Sequence, residues 1–137
     1  MKKFFMALLA SLTLCLCFLC TGCTDNGTYK LVNLKYITDD TTMTCMVGDK
    51  YQGMTLQEDT FLLIVDGDDV IFRTHFIETN KDGSIDEDTD VVIGKWIDGY
   101  NDEVYFYTDA FSSPIIAKRN GETVVVSYNS IDITLKK

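Results

Sequence analysis

Oxygen-bearing side chains recur at short intervals through Glu78-Thr79-Asn80-Lys81-Asp82-Gly83-Ser84-Ile85-Asp86-Glu87-Asp88-Thr89-Asp90. Laid on the spacing of a calcium-binding loop, Asn80 and Asp82 take the third and fifth positions. Gly83 takes the sixth, where the backbone must turn sharply. Ser84 offers its carbonyl at the seventh, Ile85 packs at the eighth and Asp86 takes the ninth. Hard oxygen donors alternating through a tight turn are what a calcium ion needs. The first position is Glu78 rather than Asp, and the twelfth is Thr89 rather than a bidentate Glu, with Asp88 or Asp90 as substitutes after a register shift. Flanks that read as strands rule out an EF-hand. The expectation is a solvated acidic hairpin loop with an Asp-Gly turn, with a weak calcium site on Asn80, Asp82, Ser84 and Asp86 as the alternative.

Other reactive residue types stand apart from one another. Cys45 lies between Met43-Thr44 and Met46-Val47 and reads as a buried, inert thiol. His75, the only histidine, is in phase with Arg73 and Ile77 and opposite Phe72 and Phe76, so it faces outward. No nucleophile–base pair and no paired carboxylates stand out, and the expectation is a protein that is not an enzyme.

The elements that must carry these residues are strands. Apolar runs are short, rich in Val, Ile, Phe and Tyr, and punctuated by Gly, Asn and Asp. Strands are expected over residues 28–36, 61–65, 70–77, 91–97, 104–107, 114–119, 123–128 and 131–135. Residues 39–53 are the least regular and could hold a turn of helix. Turns are expected at Asp66-Gly67-Asp68 and Asp98-Gly99-Tyr100-Asn101-Asp102, with an Asn120-Gly121 hairpin and a long acidic loop over residues 78–90. About eight strands, nearly all hairpin-linked, predict an all-β fold: a single antiparallel up-and-down barrel in which the first strand pairs with the last.

Alternation then assigns an interior. Trp96, the only tryptophan, shares a face with Val92 and Gly94, and Gly94 permits close approach of a neighbouring side chain or backbone. Trp96 is expected to plug one end of the barrel, with contact to a ligand as the alternative. Phe72, Thr74, Phe76, Val92, Trp96, Val104 and Phe106 are the candidate lining of any cavity. An eight-stranded barrel can be filled by side chains or hold one small ligand, and both remain open at this point.

The N-terminus supplies an address. Met1-Lys2-Lys3 is basic, residues 4–19 carry no charge, and small residues follow. That run is shorter than the about 20 residues of a spanning helix, so it reads as a secretory signal rather than an uncleaved anchor. Thr21-Gly22-Cys23 resembles the lipobox of bacterial lipoproteins. Leu19 lies four before Cys23 where that family prefers three, which leaves cleavage before Cys20 as the weaker alternative. The resemblance implies a signal peptide over residues 1–22, lipid on Cys23, a tether over residues 23–27 and a domain over residues 28–137. It also implies a cell-membrane location on the extracytoplasmic face.

Without residues 1–22, 10 basic side chains face 21 acidic ones, a net charge of −11. Such a domain repels nucleic acid and suits solubility, cation binding or a basic protein partner. Cys15, Cys17 and Cys20 depart with the signal and Cys23 takes lipid, so Cys45 has no intrachain disulfide partner.

Gly27-Thr28-Tyr29-Lys30-Leu31, Gly94-Lys95-Trp96 and the terminal Ile133-Thr134-Leu135-Lys136-Lys137 resemble landmarks of small lipocalin-like domains on bacterial lipoproteins. The resemblance covers most of the mature chain. It departs from true lipocalins, whose Gly-x-Trp lies near the start of the barrel, and at residues 33–53. It implies a barrel and small-molecule binding, and it carries over no catalytic residue. The functional expectation is a non-enzymatic, membrane-tethered lipoprotein that binds a small apolar ligand and needs no cofactor beyond the possible calcium. The alternative is a surface-mediated inhibitor of a basic protein such as a lysozyme.

Overall fold

Alternating apolar and polar residues after Asn26 give each strand one row of side chains to bury, and the strands meet that need by closing around a shared interior. A computed structural model describes residues 26–137. The expected signal segment and Cys23 lie outside the described residues. Among these there is no helix, and eleven strands follow in order. They are β1 (Gly27–Ile37), β2 (Thr42–Met46), β3 (Lys50–Tyr51), β4 (Met54–Thr55), β5 (Phe61–Asp66) and β6 (Asp69–Thr79). Then come β7 (Ile85–Asp98), β8 (Glu103–Thr108), β9 (Ile115–Asn120), β10 (Thr123–Tyr128) and β11 (Ile131–Lys136).

Strands β5 to β11 pair successively and antiparallel, and β1 joins β5 to β11. The result is a closed up-and-down barrel of eight strands. The first strand does close against the last, from Lys30 opposite Lys136 to Tyr36 opposite Ile131, with a register shift between Leu31 and Asn33. Beyond that irregularity β1 outruns β5 and pairs with β2 instead, Asn33 opposite Met46 through Ile37 opposite Thr42.

Three local expectations are corrected. Residues 39–53 hold no helical turn: they form β2 and begin a small β3–β4 hairpin. Alternation over Thr42-Met43-Thr44-Cys45-Met46 buries Cys45 opposite Leu34, and Gln52 and Gly53, both at positive φ, supply the tight turn a two-residue hairpin requires. The acidic loop shrinks to residues 80–84, because β6 and β7 stay paired out to Thr79 opposite Ile85. The β-branched Ile77, Thr79, Ile85, Thr89 and Val91 favour the pleated conformation over a loop. Finally, Asn120 pairs with Thr123, so the central turn residues are Gly121 and Glu122 rather than Asn120 and Gly121. Gly121 at φ 61° is the first central residue, the type II′ arrangement.

The two ends of the barrel differ. At the near end, Asn26 and Lys137 meet the turns Gly67-Asp68 and Gly121-Glu122; Asn26 Oδ1 accepts a hydrogen bond from Gly67 N–H at 2.8 Å. Inside this end Val70, Val104, Val124 and Leu135 are fully buried, each contributing about 1.5–3 kcal/mol. Solvent does not reach between them. At the far end the packing loosens into half-buried residues.

Candidate functional site: the far mouth of the barrel

The strand period turns even-numbered residues of β6 inward, so Val70, Phe72, Thr74 and Phe76 form one inner row. Cross-strand pairing sets Gly94 opposite Val70 and Val92 opposite Phe72, and then Trp96 opposite Phe106 and Asp98 opposite Val104. All seven expected lining residues therefore share the interior face, at different depths. Trp96, Val104 and Phe106 are buried in the core toward the near end, while Phe72, Thr74, Phe76 and Val92 are half-buried toward the far mouth.

At the near end Trp96 is 5% exposed, and its indole Nε1–H has no hydrogen-bond partner among the described residues. An ideal Cβ on Gly94 would lie 2.4 Å from the Phe106 ring and 2.1 Å from the Tyr107 carbonyl oxygen, so only glycine fits beneath that ring. Arg119 Nη1 meets Asp98 Oδ1 at 3.1 Å at the same end of β7 and β9.

The far mouth is aromatic. Tyr36 and Tyr51 pack with ring centroids 5.5 Å apart, Phe61 lies 6.1 Å from Phe72 and 5.6 Å from Phe76, and Phe111 lies 5.3 Å from Tyr128. Tyr36, Tyr51, Phe72, Phe76, Val92, Phe111 and Ile131 are only partly buried against the core. Apolar surface left half-covered at a barrel end is where such folds admit ligands. Along β7 the same inner face continues as Asp90, opposite Thr74, and Asp88, opposite Phe76. The mouth thus carries aromatic walls with carboxylates along one strand. The sequence pointed to Phe72, Thr74, Phe76 and Val92 but missed Tyr36, Tyr51, Phe61 and Phe111. Tyr36 and Tyr51 come from residues 33–53, where the lipocalin-like resemblance departs, Phe61 from the barrel's far rim and Phe111 from a loop.

The candidate calcium ligands meet at the tip of the β6–β7 hairpin. Asn80 donates from Nδ2 to Ser84 Oγ at 3.0 Å and to Asp86 Oδ2 at 2.9 Å. Asp82 Oδ1 accepts from Ser84 N–H at 2.9 Å and from its hydroxyl at 2.6 Å, and these bonds hold the Asp82 carboxyl below its ordinary pKa. The four side chains knit the turn to itself. Among the described residues no group of three or more His, Cys, Asp or Glu is placed to hold a metal.

His75 faces outward, as the strand phase requires, but it is not idle. Its Nε2 lies 2.7 Å from Glu87 Oε1 and its Nδ1 3.3 Å from Asp59 Oδ2, with the side chain 18% exposed. The Glu87 contact first, and then Asp59, raises its pKa above the ordinary histidine value. Cys45 is a buried free thiol. Comparison with protein-family models, with curated proteins and with solved structures finds no match.

Proposed function

We propose that this chain is a non-enzymatic, extracytoplasmic lipoprotein, anchored through lipid on Cys23, whose lipocalin-like barrel takes a small apolar ligand at its far mouth. The observation that carries this reading is the asymmetry of the barrel: a tightly packed near end where the chain enters, and half-buried aromatic residues at the opposite end. Cys23 lies three residues before Asn26, so a lipid there holds the near end toward the membrane and leaves the mouth facing away. Several acyl chains at about 0.8 kcal/mol per buried methylene make a durable anchor. The packed near half limits a ligand to the outer part of the interior, which favours a small molecule over a long one.

A second reading, surface binding to a basic protein such as a lysozyme, draws support from the net charge of −9 and the carboxylates along β7. Native mass spectrometry of the full chain, released from neutral detergent with and without a chelator, separates these ideas. A discrete added mass lost on denaturation supports a carrier. A mass lost only to chelator supports calcium at Asn80, Asp82, Ser84 and Asp86. A bare protein in both conditions sinks the carrier reading and leaves surface recognition. Membrane fractionation tests the tether: Cys23→Ala moves the protein out of the membrane fraction, and its retention there would overturn lipid anchoring.

A further inference from the structure

The β6–β7 hairpin is longer than the barrel that holds it. β7 pairs with β6 from Ile85 to Lys95, but with β8 only from Gly94 to Asp98. Over residues 85–93 one side of β7 therefore has no strand beside it among the described residues. The direction of its backbone groups follows from two observed bonds. His75 N–H reaches Thr60 O at 2.8 Å on the β5 side, and Trp96 N–H reaches Asp68 O at 2.7 Å on the β6 side. Successive residues of an antiparallel strand send their groups to alternate sides. Even-numbered residues of β7 therefore bond β6, and the N–H and C=O groups of Ile85, Glu87, Thr89 and Val91 point out from the unpaired edge.

The side chains along that edge are sorted by chemistry. The outer face shows Ile85, Val91 and Ile93, exposed by 66%, 53% and 67%, with Thr89 and the His75-bound Glu87 between Ile85 and Val91. The concave face shows Asp86, Asp88 and Asp90, and the carboxylates of Asp88 and Asp90 make no hydrogen bond or ion pair with a described residue. An unpaired edge is a template for another strand, and proteins commonly place charges there to select against self-pairing. Two copies joined edge to edge would set one row of aspartates beside the other, and like charges across a ladder are destabilising. A strand of opposite charge meets no such penalty.

The geometry points to strand addition: residues 85–91 of β7 accept an extended segment of a basic protein partner in which Lys or Arg alternates with apolar residues. Its cationic side chains lie beside Asp86, Asp88 and Asp90, its apolar side chains lie beside Ile85 and Val91, and its backbone completes the ladder. This holds whatever the barrel interior takes. Main-chain pairing supplies affinity, and the alternation of the partner supplies specificity.

The test uses the full chain in neutral detergent and a fluorescently labelled peptide of about nine residues, Lys alternating with Val and Thr, a length that spans the unpaired stretch. Saturable binding is expected. A peptide of equal charge, N-methylated at its Val and Thr positions, loses the donors that face Thr89 and Val91 and should bind at least about tenfold more weakly. Thr89→Pro removes an N–H on the unpaired side only, which edge strands tolerate, and should weaken the unmodified peptide by a similar factor. The double variant Asp88→Lys, Asp90→Lys should weaken it too, through charge alone. If Thr89→Pro does not fold, judged by far-ultraviolet circular dichroism, the methylated peptide against the unaltered chain decides. Equal affinity for both peptides would reduce the effect to general attraction by an acidic protein and overturn the proposal. So would absence of binding at low salt, or self-association of the full chain that Thr89→Pro dissolves.

Discussion

At the scale of single residues, two positions carry more than their residue types suggest. His75 on β6 ties Asp59, just before β5, to Glu87 on β7, so one ring pins three segments outside the barrel. Both contacts raise its folded pKa, the Glu87 hydrogen bond more than Asp59. A group with a raised folded pKa contributes stability that is fully present below its unfolded value, about 6.5. That contribution is lost as pH rises through the higher folded value. Denaturation midpoints should therefore fall as pH rises above about 6.5, and His75→Gln should flatten that fall. An equal pH dependence in the variant would remove His75 as the cause. Gly94 is the second case. Gly94→Ala forces its Cβ onto the Tyr107 carbonyl and the Phe106 ring, and overpacking of this kind costs about 1–3 kcal/mol, readable as a lower urea midpoint at unchanged slope.

Among the elements, the β6–β7 hairpin behaves as two pieces. Its barrel half is flanked by β5 and β8, whereas from Ile85 to Ile93 β7 is held by β6 alone, with the side chains of residues 85–91 exposed. The tip depends on Asn80, Asp82, Ser84 and Asp86. Asn80→Ala should raise amide exchange at Glu78, Ser84 and Asp86 while moving the global midpoint by less than about 1 kcal/mol, since exposed hydrogen bonds contribute little net stability. Equal loss of protection in β6–β7 and in β10–β11 would mean that the hairpin and barrel unfold as one. The same looseness leaves the β7 edge accessible, so the proposed strand addition should slow exchange at Ile85, Glu87, Thr89 and Val91.

For the whole molecule, closure is the source of cooperativity. β11 bonds β10 on one side and β1 on the other, and it buries Ile133 and Leu135 in the common core. Deleting residues 131–137 removes both ladders and opens edges on β1 and β10. The two buried side chains alone represent about 3–6 kcal/mol against a typical total of about 5–15 kcal/mol. The shortened chain should lose dispersed amide resonances throughout rather than near the cut. A native-like spectrum from it would show that the sheet stands without closing. The same closed architecture sets the chain entry and the aromatic mouth at opposite ends, so the proposed tether at Cys23 and the proposed ligand at the mouth would not compete for one end.

Much of this was legible from the residues in order. The short apolar runs rich in Val, Ile, Phe and Tyr, the Gly67 turn and the even count of hairpin-linked strands specified a closed antiparallel barrel, because a period of two and short turns leave few other ways to bury one face. Alternation likewise put Phe72, Thr74, Phe76, Val92 and Trp96 on the inner face. Three things escaped it. Composition marked residues 78–90 as loop, but cross-strand pairing with β6 makes most of them strand, since a ladder partner outweighs the local cost of aspartates. His75 gained partners 16 and 12 residues away, a relation that exists only once the register is set. And the division between a packed near end and a half-buried, aromatic far end arises from where strands of unequal length stop. Sequence alone determined which residues face inward; tertiary structure decided how deep each one lies, because depth depends on the strands around it and not on its own neighbours in the chain.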